Sequence, residues 1–247
     1  MKLTFKVWRQ SSNKAPGEFV SYPMNNVSAD MSLLEALDIL NDQLVLEKKP
    51  VIAFDHDCRE GICGQCGMMV NGRAHGGGKN QTTCQIYLRS FNEGDEVLLE
   101  PFRANAFPVV QDLTVDRSAF DRIIQQGGYV TANTGTAPEA NSVLIGKKQA
   151  DKAMEMAACI GCGACVAACK NSSASLFTSA KINHFAALPQ GAIESKERSI
   201  TMVEQMDKEG FGHCSLTGAC EAECPAEIPL RSIAEMNWRY TISRALK

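Results

Sequence analysis

The chain has 247 residues, of which 45% are hydrophobic and 21% charged, a balance that excludes a disordered protein. A formal net charge of −3 argues against a broad nucleic-acid-binding face. No run of 18 apolar residues is present to build a membrane-spanning helix.

Along the chain, Leu3, Phe5 and Val7 alternate with Lys2, Thr4 and Lys6, which predicts a strand. Residues 18–22 predict a second. Ser32-Leu33-Leu34-Glu35 is a capping-box pattern opening a helix that carries Leu37, Ile39, Leu40 and Leu44 at helical spacing. Residues 51–54 read as a short buried strand, residues 68–70 as a strand ending in the Asn71-Gly72 turn, and residues 97–99 as another strand. These elements fit a small α+β sheet with one helix packed across it. The Gly76-Gly77-Gly78 segment reads as a mobile surface loop. Residues 105–115, with Pro101 and Pro108 nearby, read as a linker. Beyond it, helices are predicted at 117–127, 147–158, 175–188, 198–209 and 230–245, with a loop at 131–141. The expected division is residues 1–105 and 106–247.

Eleven cysteines are an odd number and cannot all pair as disulfides. The start, MKLTFKVWRQ, has no apolar leader, so the expected compartment is the reducing cytoplasm. There, clustered cysteines serve as metal ligands or redox groups. They form three groups, the first two separated by 74 residues without cysteine. Cys58, Cys63, Cys66 and Cys84 follow C-x4-C-x2-C, then 17 residues, then C, which is the plant-type [2Fe-2S] spacing. Two sulfide-bridged irons need four converging thiolates. Gly61, Gly64 and Gly67 let one loop wrap the cluster and turn amide N–H groups to sulfur. A zinc site is disfavoured, because zinc draws on two close ligand pairs.

Cys159-x2-Cys162-x2-Cys165-x3-Cys169 is the bacterial ferredoxin run, whose fourth cysteine serves the other cluster in two-cluster domains. The proline that usually follows is replaced by Lys170. Cys214-x5-Cys220-x3-Cys224-Pro225 overlays on the same run with Thr217 at its second cysteine position. The crossed assignment gives Cys159, Cys162, Cys165 and Cys224 to a [4Fe-4S] cluster. Cys169, Cys214 and Cys220 remain for a [3Fe-4S] cluster; the alternative is a hydroxyl or water at Thr217 ligating a fourth iron. Such clusters move single electrons and do no bond chemistry on substrates, so no catalytic residue is expected on this chain. No G-x-G-x-x-G segment is present, which places a flavin on another subunit.

On the segments DHDCREGICGQCG, CIGCGACVAAC and CSLTGACEAECP, the chain resembles the iron–sulfur subunit of succinate dehydrogenase and fumarate reductase over almost its whole length. The resemblance implies an α+β fold, with a β-grasp plant-type ferredoxin domain followed by an all-α bacterial-type ferredoxin domain. It implies an FAD-containing flavoprotein subunit that oxidises succinate or reduces fumarate. It also implies a cytochrome b membrane-anchor subunit carrying quinone and haem b. Electrons would pass from FAD through [2Fe-2S], [4Fe-4S] and [3Fe-4S] to quinone, or in reverse. The chain, with no transmembrane helix of its own, would lie on the cytoplasmic face of the inner membrane, held by the anchor.

Many family members carry a Pro-Ser start and a tryptophan soon after the cysteine matching Cys169, lining a quinone pocket, and a histidine directly after the cysteine matching Cys214. Here Lys170, Asn171, Ser172, Ser173 and Ala174 follow the first and Ser215 follows the second. The sequence is more similar to the branch with a single di-haem cytochrome b anchor, usually using menaquinone, where the quinone can sit far from this subunit. A rival reading is the iron–sulfur arm of a soluble flavin oxidoreductase, such as a thiol-linked fumarate reductase or a glycolate-oxidase-like complex. Those typically carry an additional cysteine-rich domain, which these 247 residues lack. A non-redox protein with structural clusters is a third reading, disfavoured by the charge and by three distinct centres.

Other residues have plainer expectations. His56, Asp55 and Asp57 shape the first loop or meet the flavoprotein, and Arg59 interacts with the reduced cluster or that partner. His75, His184 and His213 are structural or surface residues. Met154, Met156, Met202, Met206 and Met236 fill core gaps. Trp238 is a core or interface anchor, and Arg231, Arg239, Arg244 and Lys247 form a solvated basic tail.

Overall fold

The computed structural model describes residues 1–131, 139 and 144–246. Strand β1 (Leu3–Arg9) buries Leu3, Phe5 and Val7 on one face, as a period of two requires. It pairs antiparallel with β2 (Glu18–Met24). Helix α1 (Leu33–Leu46) starts at a reciprocal cap: Ser32 Oγ accepts from the Glu35 N–H, and the Glu35 carboxylate accepts from the Ser32 N–H. Its buried face carries Leu33, Leu34, Leu37, Leu40 and Leu44. Each buried leucine contributes about 2 kcal/mol of hydrophobic stabilisation. Strands β3 (Met68–Val70), β4 (Arg73–Ala74) and β5 (Glu96–Pro101) complete a sheet of order β2-β1-β5-β3-β4, with β1 and β5 parallel. The N-terminal half is thus the expected sheet with one helix across it.

Two expectations fail here. Residues 51–54 are not a strand. The backbone of Ile52 is instead held by the Asn41 side chain, whose Nδ2 donates to the Ile52 carbonyl at 2.9 Å while Oδ1 accepts from its N–H at 2.7 Å. The Ala53 N–H donates to Asp112 Oδ2 at 2.9 Å. Side chains therefore supply the partners that a neighbouring strand would give. Residues 105–115 are not a plain linker, because β6 (Val109–Gln111) and β7 (Thr114–Val115) form a hairpin. Leu113 enters the core of the sheet, while Val109 and Val115 enter the core of the helical half. In the segment expected as a loop, His75–Gly77 forms a turn of 3-10 helix.

Helices α2 (Ser118–Gln125) and α3 (Lys147–Ala157) match their predictions. Between the cysteine groups and after them come α4 (Ala164–Ala168), α5 (Ser175–Ala187), α6 (Ser195–Lys208), α7 (Ala219–Ala222) and α8 (Arg231–Ala245). The five longer helices lie within three residues of their expected bounds; α4 and α7 are too short to show a period. The loop expected at 131–141 lies mostly outside the described residues. Phe120 and Phe177 stack at 3.7 Å in the core, with Phe107 and Phe211 edge-on nearby. Arg198 is buried and satisfied by carbonyls, donating to Gly127 O, Gly191 O and Tyr129 O at 2.6–2.8 Å.

Met156, Met202, Met206 and Met236 fill the core, but Met154 is 60% exposed. Helix α3 turns Ala153 and Met156 inward, and Met154 lies about 100° round from Ala153. Trp238 is 62% exposed and so is not a core anchor. The C-terminal arginines are not simply solvated. Arg231 pairs with Glu155, Arg244 with Glu204 at 3.0 Å, and Arg239 donates to Asn183 Oδ1 at 3.2 Å.

His75 is 1% exposed. Its Nδ1 accepts the Thr83 N–H at 3.2 Å and lies 2.9 Å from Thr83 Oγ1, which assigns the ring proton to Nε2, an atom with no partner among the described residues. Burial, and then the charge of Arg117, lower its pKa to about 4. In the unfolded chain the value is about 6.5, so unfolding takes up a proton between these two values. The stability present above pH 6.5 is therefore lost as pH falls towards 4, by up to ~3 kcal/mol. Urea unfolding from pH 4 to 7 is expected to show this slope in the native chain and a flatter one in His75→Gln; equal slopes would exclude His75 as the source.

Candidate functional site

The first cysteine loop joins the end of the pinned 51–54 segment to β3. Arg59 follows Cys58 with φ +57°, a left-handed conformation uncommon outside glycine. The Glu60 N–H donates to Cys58 Sγ at 3.3 Å and the Gln65 N–H to Cys63 Sγ at 3.5 Å. Cys84 arrives on a 3-10 turn (Thr83–Gln85), with the Thr82 hydroxyl 3.1 Å from its sulfur. Cys58 and Cys63 are neighbours, as are Cys66 and Cys84. Backbone N–H donation from Glu60 and Ile62 lowers the Cys58 thiol to about 7, whereas burial raises Cys66 to about 12. Arg59 pairs with Asp38 on α1 at 2.7 Å, which braces the loop against that helix. Asp55 accepts from Thr114 Oγ1 at 3.3 Å and so ties the loop's approach to β7.

The second and third groups are built alike. Gly163 (φ +91°) opens α4 with Ala164-Cys165, and Gly218 (φ +78°) opens α7 with Ala219-Cys220. The two short helices pack on each other and exchange cysteines between two cavities. One, of about 340 Å³ including its mouth, is bordered by Cys159, Cys162 and Cys165 and, from the other run, Cys224. The rest of its wall is apolar, with Ile160, Leu176, Phe177 and Pro225. The other, of about 270 Å³ including its mouth, is bordered by Cys169, Cys214 and Cys220 together with Thr217, Ser173 and Ser175. The Ile228 N–H donates to Cys224 Sγ and the Leu216 N–H to Cys214 Sγ, both at 3.4 Å.

Burial raises Cys162 to about 12 and Cys220 to about 11, and also raises Cys165 and Cys224. A thiol must lose its proton to bind iron, so iron uptake here releases protons and strengthens with pH. Among the described residues, no three His, Cys, Asp or Glu side chains converge as a single ion would need. The thiols border volumes instead. Soft sulfur donors, amide N–H groups aimed at sulfur and apolar walls fit iron–sulfur clusters.

The family described as 2Fe-2S iron-sulfur cluster binding domain matches residues 4–122, and the 4Fe-4S dicluster domain family matches residues 155–228. The chain is 32% identical over 198 residues to the succinate dehydrogenase iron-sulfur subunit of Bacillus subtilis, covering 77% of this chain and 73% of that one. It belongs to the family of succinate dehydrogenase and fumarate reductase iron–sulfur subunits. The fumarate reductase iron-sulfur subunit of Escherichia coli is 29% identical over 209 residues, covering 81% of this chain and 77% of that one. A chain of the Mycobacterium smegmatis Sdh1 complex in the apo form shares the fold, with TM-score 0.72 at 22% identity, covering 99% of this chain and 97% of that one.

Within this iron–sulfur subunit, several residues near the cysteines carry no motif. Asn171 Nδ2 donates to His213 O at 3.0 Å and Ser215 Oγ at 3.1 Å, bracing the third cysteine group. The Ser173 and Ser175 hydroxyls are buried and 2.9 Å apart. Arg117 reaches both of the first two cysteine loops. The sequence marked Asn171, Ser173 and Ser215 only as departures from the family pattern, and it had no signal for Arg117, whose partners are mostly backbone atoms far along the chain.

Proposed function

We propose that this chain relays single electrons between the FAD of a succinate-oxidising or fumarate-reducing flavoprotein subunit and a membrane cytochrome b with its quinone. Cys58, Cys63, Cys66 and Cys84 hold [2Fe-2S]. Cys159, Cys162, Cys165 and Cys224 hold [4Fe-4S], and Cys169, Cys214 and Cys220 hold [3Fe-4S]. Residues 1–105 carry the first centre and residues 106–247 the other two. The observation that carries this reading is the exchange of Cys169 and Cys224 between the two cavities. When bound, the clusters accept and release one electron each without making or breaking substrate bonds. The chain's part is to hold them: N–H groups aimed at the sulfurs offset negative charge, and Phe177 and Leu176 keep water from the second centre.

The partner anchor in this reading is a single di-haem cytochrome b using menaquinone at a distance, and the chain lies on the cytoplasmic face of the inner membrane. Support comes from Asn171 and Ser215, which bond to each other where other family members place quinone-pocket residues. No helix among the described residues is long and apolar enough to cross a membrane. Purification from membranes is expected to yield a flavoprotein and one di-haem cytochrome b with this chain. Recovery without any flavoprotein would overturn the reading.

A further inference from the structure

The first two cysteine loops meet back to back. Gly64, between Cys63 and Cys66, has φ +73°, and a Cβ there would stand 2.5 Å from the Ile160 carbonyl oxygen and 3.2 Å from Cys162 N. Only a glycine permits this approach. Arg117, the residue before α2, directs its guanidinium into the same seam. Its Nη1 donates to the Gly64 carbonyl at 2.5 Å and to the Cys162 carbonyl at 2.9 Å. Its Nη2 donates to the Gln65 carbonyl at 3.3 Å and to Gln65 Oε1 at 2.6 Å. One planar fork therefore grips both residues between Cys63 and Cys66, and Cys162 itself.

We propose that Arg117 is a positioning residue for electron transfer, clamping the first cysteine loop onto the second and fixing the separation of the first two centres. The proposal rests on the ligand assignment above. Electron transfer between centres falls exponentially with their separation, so a small slip between the loops has a large kinetic effect. Both loops are otherwise half-exposed around Cys63 and Cys159, at the floor of an open cleft that Arg117 also lines. Other polar ties between the halves leave the Gly64 seam free: Thr114 to Asp55 at 3.3 Å holds only the approach to the first loop, and Arg73 to Glu223 at 2.7 Å joins β4 to the end of α7. A lysine cannot replace the fork, because an ammonium is a point charge on a flexible stem and does not span three carbonyls in fixed geometry.

The test uses the assembled complex carrying Arg117→Lys or Arg117→Gln. Iron and sulfide content and EPR spin counts report occupancy of each centre. The relaxation enhancement of the reduced [2Fe-2S] signal by its [4Fe-4S] neighbour reports their separation, and rapid-freeze EPR reports electron equilibration between them. Full occupancy, weaker enhancement and equilibration slowed by about tenfold or more are expected in both variants, since small misplacements of reacting groups carry large rate costs. Unchanged enhancement and rate at full occupancy would overturn the proposal. So would full recovery in Arg117→Lys, which would assign the effect to charge alone. Gly64→Ala wedges the same seam from the other side and is expected to weaken the enhancement even if the Arg117 variants do not assemble; unchanged enhancement there also overturns the proposal. A native complex with no [4Fe-4S] signal would instead overturn the ligand assignment, and the clamp with it.

Discussion

Thr217→Cys is expected to convert the third centre from [3Fe-4S] to [4Fe-4S] and to lower its potential by at least about 100 mV, within the span that cluster type commands. Thr217 borders the cavity with Cys169, Cys214 and Cys220. It precedes Gly218 and α7 as Cys162 precedes Gly163 and α4, so the two positions are equivalent in the backbone. The position is exposed, and the substitution itself costs the fold no more than about 0.5 kcal/mol. A fourth thiolate would hold a fourth iron, and the potential shift follows from the change of cluster type. For a one-electron couple about 59 mV is tenfold, so electron flow to quinone is expected to fall more than tenfold, while dye reduction from the earlier centres persists. Redox-titrated EPR decides the matter. A [3Fe-4S] signal that survives the substitution would show that Thr217 does not occupy the missing cysteine's place.

Cys224→Ala is expected to remove the [4Fe-4S] signal while leaving the [3Fe-4S] signal in place. This outcome runs against sequence proximity, since Cys224 lies four residues from Cys220 and 59 from Cys165. In space Cys224 borders the cavity of Cys159, Cys162 and Cys165. Cys169→Ala should do the reverse and remove the third centre, although Cys169 belongs to the first run. With the middle centre gone the relay has no step between its ends. Turnover should fall by on the order of a hundredfold or more, beyond what loss of a surrounding hydrogen bond to a metal site costs. Spin counts on the two variants would show crossed losses; if Cys224→Ala lost the third signal and kept the second, the crossed ligand sets would be wrong.

The sequence by itself determined those features that short-range rules impose. Alternation of Leu3, Phe5 and Val7, the Ser32–Glu35 cap and the helical spacing of the second half are all written within a few residues, and the structure follows them. The grouping of the cysteines was equally legible, because thiolates that converge on one cluster from one loop must keep a fixed spacing. Tertiary structure decided what depends on distant partners. Residues 51–54 are apolar enough for a strand, yet Asn41 and Asp112 take their backbone groups. Residues 105–115 carry the proline of a linker, yet Leu113 finds a core to enter. Met154 and Trp238 face outward because packing chose the other side of their helices. Arg117 obeys no local pattern, since its carbonyl partners lie 45 to 53 residues away in sequence. A hydrogen bond to a backbone oxygen leaves no mark on the identity of the residue that supplies it, so the seam between the first two loops could be read only from the folded chain.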